Sequence, residues 1–266
     1  MISIMDTKHS HQPPALQIHQ LSVNYDKTPV LWDISLNVPS GKLVGIIGPN
    51  GAGKTTLIKA ALGLITPISG KIEFFGHHLK QVLLRVAYVP QRQTVDWDFP
   101  ITVRDLVLMG RYGRLGLFRW PSHEDKLAAD RYLEMVDMLQ YSHRQISQLS
   151  GGQQQRVFIA RALLQDADVY FMDEPFAGID HASEQVIMNI LRELKKQNKS
   201  VFVVHHDLNT VESYFDWVIM LNMRLIACGN VKDVFNSESL NATYGKNFAL
   251  FDEALKLSQQ KASGIT

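Results

Sequence analysis

Short stretches of alternating apolar and polar residues open the chain, and unbroken apolar runs follow them. Leu16-Gln17-Ile18, Leu21-Ser22-Val23 and Ile34-Ser35-Leu36-Asn37-Val38 put every second side chain on an apolar face, the pattern of strands with one side buried. Leu43–Ile47, Val169–Met172 and Val201–Val204 are apolar at nearly every position, which suits strands covered on both faces. From about 92 to 165 the period changes. That stretch predicts helices over Val103–Met109, His123–Leu139 and Gln153–Leu164 and no clear strand. Another helix is predicted over Glu184–Lys196, with Val186, Ile190 and Leu194 on one face and Lys and Glu opposite. Strands alternating with helices point to an α/β fold with a largely parallel sheet. To that core the pattern adds an N-terminal antiparallel β subdomain and an inserted helical subdomain at about 92–165. Residues 1–14 read as a disordered end, 15–245 as the folded domain and 246–266 as a C-terminal tail.

Composition narrows the function classes. The 266 residues are 45% hydrophobic, enough to bury a sizeable core. Lys and Arg number 27 against 26 Asp and Glu, a formal net charge of +1, and no basic stripe stands out. Nucleic acid is therefore not an expected partner. The lone Cys228 excludes an internal disulfide, suits a reducing compartment, and follows the apolar run Leu225-Ile226-Ala227 as a buried strand thiol would. The polar start MISIMDTKHSHQPP lacks the apolar stretch of a signal peptide. No apolar run approaches the ~20 residues of a spanning helix. A cytosolic chain is expected, with any membrane role supplied by a partner.

The chemistry concentrates in two places. Gly48-Pro49-Asn50-Gly51-Ala52-Gly53-Lys54-Thr55 fits G-x-x-x-x-G-K-[ST], after the apolar run Leu43–Ile47 and before a helix beginning near Lys54 and running through Thr56. Glycines there let the backbone point its N–H groups at phosphate oxygens, and the helix N-terminus adds partial positive charge. Lys54 can then reach the β- and γ-phosphates, and the Thr55 hydroxyl can ligate Mg²⁺. This is a P-loop NTPase core, with ATP and Mg²⁺ as the expected cofactors. The run Val169–Met172 ends in Asp173-Glu174. Open parallel sheets bind ligands at the carboxyl ends of their strands. Asp173 is thus placed to hold Mg²⁺ and Glu174 to polarise an attacking water as general base. Two acids after a strand can also cap a helix, since Pro175 interrupts the chain, but the glycine loop favours the catalytic reading. Gln91 and His206, each following an apolar run, are further candidates to meet the γ-phosphate. The adjacent side chains of His205-His206-Asp207 diverge on a strand and make a poor metal site.

Leu149-Ser150-Gly151-Gly152-Gln153 resembles the signature of ABC ATPases, and the resemblance spans about residues 16–245. It implies that Tyr25 stacks on adenine and that Gln91 is the Q-loop glutamine, near Mg²⁺. It also implies that Gly178-Ile179-Asp180 is the D-loop, bringing Asp180 to the nucleotide, and that His206 is the switch histidine. A serine and two glycines opening a helix offer a hydroxyl and N–H groups to an anion. The resemblance implies that Ser150, Gly151, Gly152 and Gln153 of one copy close over ATP held by the glycine loop of a second copy, head to tail.

Residues 88–120 are similar to ATPases of the manganese/zinc/iron importers, nearest the manganese branch. Tyr88–Gln93, Asp96-Trp97-Asp98-Phe99-Pro100 and Met109-Gly110-Arg111-Tyr112-Gly113 carry that similarity, with Phe176-Ala177-Gly178-Ile179-Asp180. It implies an ATP-hydrolysing homodimer, peripheral on the cytoplasmic face of the membrane. The aromatic and arginine cluster of 88–120 would face an integral membrane permease, and a metal-binding solute-binding protein would act indirectly. The alternatives are a zinc, iron or iron-chelate importer, and a non-transport ABC ATPase acting on ribosomes or DNA. Those non-transport relatives carry two ATPase modules or a long coiled coil, and neither feature is present in this sequence.

Overall fold

The computed structural model describes residues 13–25, 28–116 and 119–245. The expected ends therefore lie outside the described residues over 1–12 and 246–266. Pro13 and Pro14, read from sequence as part of a disordered end, are instead tied down. The Pro13 carbonyl accepts from Ser40 Oγ at 2.9 Å, and the Pro14 carbonyl from the Phe75 N–H at 3.0 Å.

In chain order the strands are β1 (Leu16–Tyr25), β2 (Thr28–Val38), β3 (Leu43–Ile47), β4 (Ser69–Glu73), β5 (Val86–Val89), β6 (Val169–Met172), β7 (Ser200–Val204), β8 (Trp217–Asn222) and β9 (Arg224–Asn230). The alternating segments form an antiparallel sheet in the order β2-β1-β4. In β1 the buried set passes from even residues (Leu16, Ile18) to odd ones (Leu21, Val23). Gln20 is the extra residue that allows the change. It sits at φ 47°, and its N–H donates to Ser35 Oγ rather than to the ladder.

The unbroken apolar runs form the interior of a second sheet, ordered β5-β6-β7-β3-β8-β9 and parallel except for β9. Each of these strands feeds two cores. Leu43 and Ile47 of β3, Tyr170 and Met172 of β6, and Val201 and Val203 of β7 pack toward the helical side. Val44, Ile46, Val169, Phe171, Phe202 and Val204 pack toward the antiparallel sheet and helix Lys54–Ala61. With both faces covered, no position in the run can be polar. The Phe171 and Phe202 rings stack at 4.8 Å between the sheets.

Between β5 and β6 the chain forms the helices Val103–Leu115, His123–Met135 and Gly151–Leu164. Thr102 and Ser122 cap the first two through hydrogen bonds to the N–H groups of Asp105 and Asp125. Arg104 grips Asp130 with two bonds of 2.8 and 3.0 Å, and Arg111 meets Asp125 at 2.9 Å. Gly110 lets the first helix lie on the third, since a Cβ there would stand 2.3 Å from the Arg161 carbonyl oxygen. The second helix stops four residues short of the expected Leu139. Asp137 takes a left-handed φ of 56°, and the Met138 N–H turns back to the Leu133 carbonyl at 2.7 Å.

The later helix spans His181–Lys196 and begins at Asp180, ahead of the expected Glu184. Its buried apolar residues are Ile187, Met188, Ile190, Leu191 and Leu194, while Val186 is half-buried. Among the described residues no helix is long and apolar enough to cross a membrane.

Candidate active site

The glycine loop leaves the carboxyl end of β3, in the middle of the sheet. Gly48 and Gly53 are required there by geometry. Gly48 has φ 155°, and a Cβ on it would lie 2.1 Å from the Leu221 carbonyl oxygen. Gly53 has φ 92° as the helix N-cap, and a Cβ would strike Leu31 Cδ2 at 2.4 Å. Lys54 is buried with its ammonium turned back on the loop, donating to the carbonyls of Gly48 at 2.8 Å and Pro49 at 2.9 Å. Burial pulls its pKa below the ordinary lysine value, and the carboxylates of Glu174 and Asp173 act against that. Asn50, Gly51, Ala52, Gly53, Lys54, Thr55 and Thr56 line an open recess of about 310 Å³ together with Val30, Glu174 and His206. Another recess of similar size, about 300 Å³, lies in the helical lobe around Arg111, Arg131 and Tyr132 and contains none of the residues expected at the nucleotide.

The end of β6 brings Glu174 to the lining of this recess and places Asp173 beneath it, against Thr55. Asp173 is fully buried, and its Oδ1 accepts from the Thr55 hydroxyl at 3.1 Å. Its Oδ2 is buried without a hydrogen-bond partner among the described residues. Burial holds the carboxyl above the ordinary aspartate range, although the Thr55 bond opposes this. An unfilled carboxylate oxygen next to a hydroxyl is a donor set that fits a hard divalent cation such as Mg²⁺. Glu174 departs in another direction because its backbone is left-handed, at φ 52°. Its Oε2 accepts from Gln91 Nε2 at 2.9 Å, and its Oε1 pairs with His206 Nε2 at 2.6 Å. The three expected catalytic residues thus meet at one carboxylate. In this chain Gln91 touches Glu174 rather than Asp173 or Thr55, its expected neighbours at Mg²⁺.

The remaining candidates lie elsewhere. Tyr25, at the end of β1, is 46% exposed and does not line the recess. Ser150, Gly151, Gly152 and Gln153 do not line it either. They open the helix Gly151–Leu164 as a capping box: the Gln153 N–H donates to Ser150 Oγ at 3.4 Å, and the Ser150 N–H to Gln153 Oε1 at 2.9 Å. Asp180 caps the helix at His181, accepting from the Ser183 N–H and hydroxyl, each at 2.9 Å.

Residues 31–177 match the model of the ABC transporter family. The chain belongs to that family. As an ABC ATPase it binds ATP and hydrolyses it to power transport. It is 58% identical over 230 residues to the manganese transport system ATP-binding protein MntB of Bacillus subtilis strain 168, covering 86% of this chain and 92% of that one. It is 53% identical over 231 residues to the zinc transport system ATP-binding protein TroB of Treponema pallidum, with 87% of each chain covered. Among solved structures, an inward-facing metal-chelate type ABC transporter superposes with a TM-score of 0.76 at 29% identity, over 87% of this chain and 88% of that one.

Val30 of this ABC ATPase was not singled out from sequence, and His205 and Arg92, named there only within longer runs, turn out to have specific partners. Val30 lines the recess from β2. Its only signal was a place just before the alternating run at Ile34. His205 is buried, shares a 2.7 Å bond with the Thr210 hydroxyl, and is ringed by Phe176, Tyr214 and Phe215. Burial lowers its pKa below the ordinary histidine value, and Asp207 and Glu184 partly offset that. Arg92 turns away from the recess onto the signature helix, its Nε donating to Gln154 Oε1 at 3.0 Å. Cys228 sits on β9 as expected but is only half-buried, with its sulfur accepting from Trp217 Nε1 at 3.3 Å.

Proposed function

We propose that this chain is the ATPase subunit of a divalent-metal importer whose cargo is manganese. The observation that carries the catalytic part is the Glu174 carboxylate held between Gln91 and His206 at the rim of the glycine-loop recess. In this reading Lys54 leaves the Gly48 and Pro49 carbonyls for the β- and γ-phosphates, while the loop N–H groups surround them. Thr55 and Asp173 would hold Mg²⁺, which would supply charge neutralisation at the phosphate oxygens. Glu174 takes the proton of the attacking water as the bond to the γ-phosphate breaks, and His206 and Gln91 keep its carboxylate aimed.

The capped turn at Ser150 leaves N–H groups at an exposed helix start, which supports its use by a second copy. Ser150, Gly151, Gly152 and Gln153 of that copy would close on the ATP held here, Tyr25 would stack on its adenine, and Asp180 would lie along the shared interface. ATP bound by both halves favours the closed dimer, and loss of the γ-phosphate reopens it. Exposed Leu83, Leu84, Phe99, Tyr112 and Trp120 support docking to an integral membrane permease, which would hold the chain at the cytoplasmic face of the membrane. A metal-binding solute-binding protein would deliver cargo on the far side. Similarity to the manganese protein favours manganese, and the 53% identity to the zinc protein keeps zinc as a second reading.

Two measurements test this. Glu174→Gln should bind MgATP, turn it over at least about 100-fold more slowly, and sediment as a dimer. Parent-like turnover would remove Glu174 as the base. Cells carrying Lys54→Ala in place of the parent should lose manganese content, and a selective loss of zinc would decide for the second reading.

A further inference from the structure

Gln91 and Arg92 are consecutive, yet their side chains go to different places. Gln91 reaches Glu174, and Arg92 reaches Gln154 in the first turn of the helix that Ser150 caps. Gln154 is only 3% exposed and is fixed at its other end, where Nε2 donates to the Ile146 carbonyl at 3.1 Å. The Arg92 guanidinium also lies against Gly151: a Cβ there would stand 2.8 Å from Cζ, 2.9 Å from Nε and 3.1 Å from Nη1. The guanidinium of Arg92 thus lies over Gly151 in the same chain.

The grip has a second point. Trp97 Nε1 donates to the Arg92 carbonyl at 2.8 Å, and the Trp97 ring meets Phe158 edge-on at 5.0 Å. Gln154 and Phe158 are four residues apart and share one helix face. The backbone between these points is stiffened, since the Gln91 carbonyl accepts both the Thr94 N–H at 3.0 Å and the Thr94 hydroxyl at 2.8 Å. Segment 91–97 thus clasps the helix on two successive turns, which joins Gln91 to the Ser150–Gly152 turn by a short path of direct contacts.

We propose that Arg92 is a positioning residue that couples the two nucleotide half-sites within one chain. Through Arg92 the Gln91–Glu174 contact at the recess and the Ser150–Gly152 turn offered to the second copy are held in register with one another. This rests on the reading above that both ends face nucleotide.

The test uses the full chain in the Glu174→Gln background, with thermal melting as the folding control. Arg92→Ala should raise the MgATP concentration for half-maximal dimerisation about tenfold, the loss expected of one charged hydrogen bond. ADP affinity, which reports the glycine loop alone, should change by less than about twofold. With Glu174 restored, the Hill coefficient for ATP hydrolysis should fall from about 2 toward about 1. Gln154→Met should reproduce the effect, and the double variant should be no worse than either single one. An unchanged dimerisation midpoint, additive single effects, or an equal loss of ADP affinity would each overturn the proposal. Should the Glu174→Gln protein stay monomeric in MgATP, it is the sandwich that fails. The coupling is then read from amide hydrogen exchange over 149–154, which MgATP should slow in the parent and not in Arg92→Ala. Equal slowing in both overturns it.

Discussion

His206 Nε2 stands 2.6 Å from Glu174 Oε1, while Gln91 holds the other oxygen of the same carboxylate at 2.9 Å. The carboxylate is therefore oriented before any substrate arrives, by residues from the ends of β7 and β5. Orientation matters because a general base must meet its proton within hydrogen-bond reach. His206→Ala frees one of the two oxygens. It should lower kcat by about 100-fold and leave ATP affinity within about threefold. Steady-state hydrolysis beside equilibrium nucleotide binding checks this, and a matched fall in both would mean that His206 acts in binding.

Lys54 contributes a charge that burial disfavours, on a stem packed beneath the loop. Lys54→Met keeps most of the stem and removes the ammonium. ATP affinity should fall by about 100-fold, as expected when a charged hydrogen bond to phosphate is lost. The melting temperature of the nucleotide-free protein should move by no more than about 2 °C. Calorimetric titration and a thermal melt separate the two effects.

In the proposed site Asp173 would stabilise a bound cation at the expense of the empty fold. Its buried carboxyl sits above the ordinary range, so the folded state holds this proton more tightly than the unfolded state. Its effect on stability is thus most favourable at low pH and worsens as pH rises from about 3.9 through the folded value. Asp173→Asn removes the charge. The nucleotide-free variant should melt about 2 °C higher at pH 7 while ATPase activity is lost. A lower melting temperature would mean that the Asp173–Thr55 contact outweighs the burial cost.

His205 supplies the opposite pH dependence. Burial lowers its folded pKa below the value of about 6.5 held in the unfolded chain. In the window between the two, the unfolded state binds more protons, so stability rises with pH. The contribution is complete above about pH 6.5 and is lost as pH falls toward the folded value. Asp207 and Glu184 face the ring and narrow the window without reversing it. His205→Gln retains a partner for Thr210 and cannot protonate there. Its melting temperature should therefore fall less than the parent's between pH 6.5 and 5. Parallel melting curves would show that the ring is not the titrating group.

The parts legible in sequence were those whose elements are contiguous. Gly48–Thr55 and Asp173-Glu174 each follow an apolar run, and a double-sided sheet interior allows only such runs. The Ser150 turn was legible through its resemblance to the ABC signature, and the capping box found there closes within four residues. The end of the helix at Met135 was hidden because Val136, Met138 and Leu139 keep an apolar rhythm, and the left-handed stop is an aspartate rather than a glycine. The clamp on Glu174 depends on residues 83 positions before it and 32 after it, so only the strand order β5-β6-β7 brings them together. Arg92 had no local signal, because its partner Gln154 lies 62 residues away.

The helix holds its capping serine loosely, for the bond from the Gln153 N–H to Ser150 Oγ spans 3.4 Å. A contact so near the limit of hydrogen bonding gives up little when broken. The hydroxyl can change allegiance at low cost, while the 2.9 Å bond from the Ser150 N–H to Gln153 Oε1 continues to hold the helix start together. A single copy therefore keeps this end of the helix formed, and in the proposed head-to-tail dimer engaging the second copy's nucleotide would require only that one rotor turn.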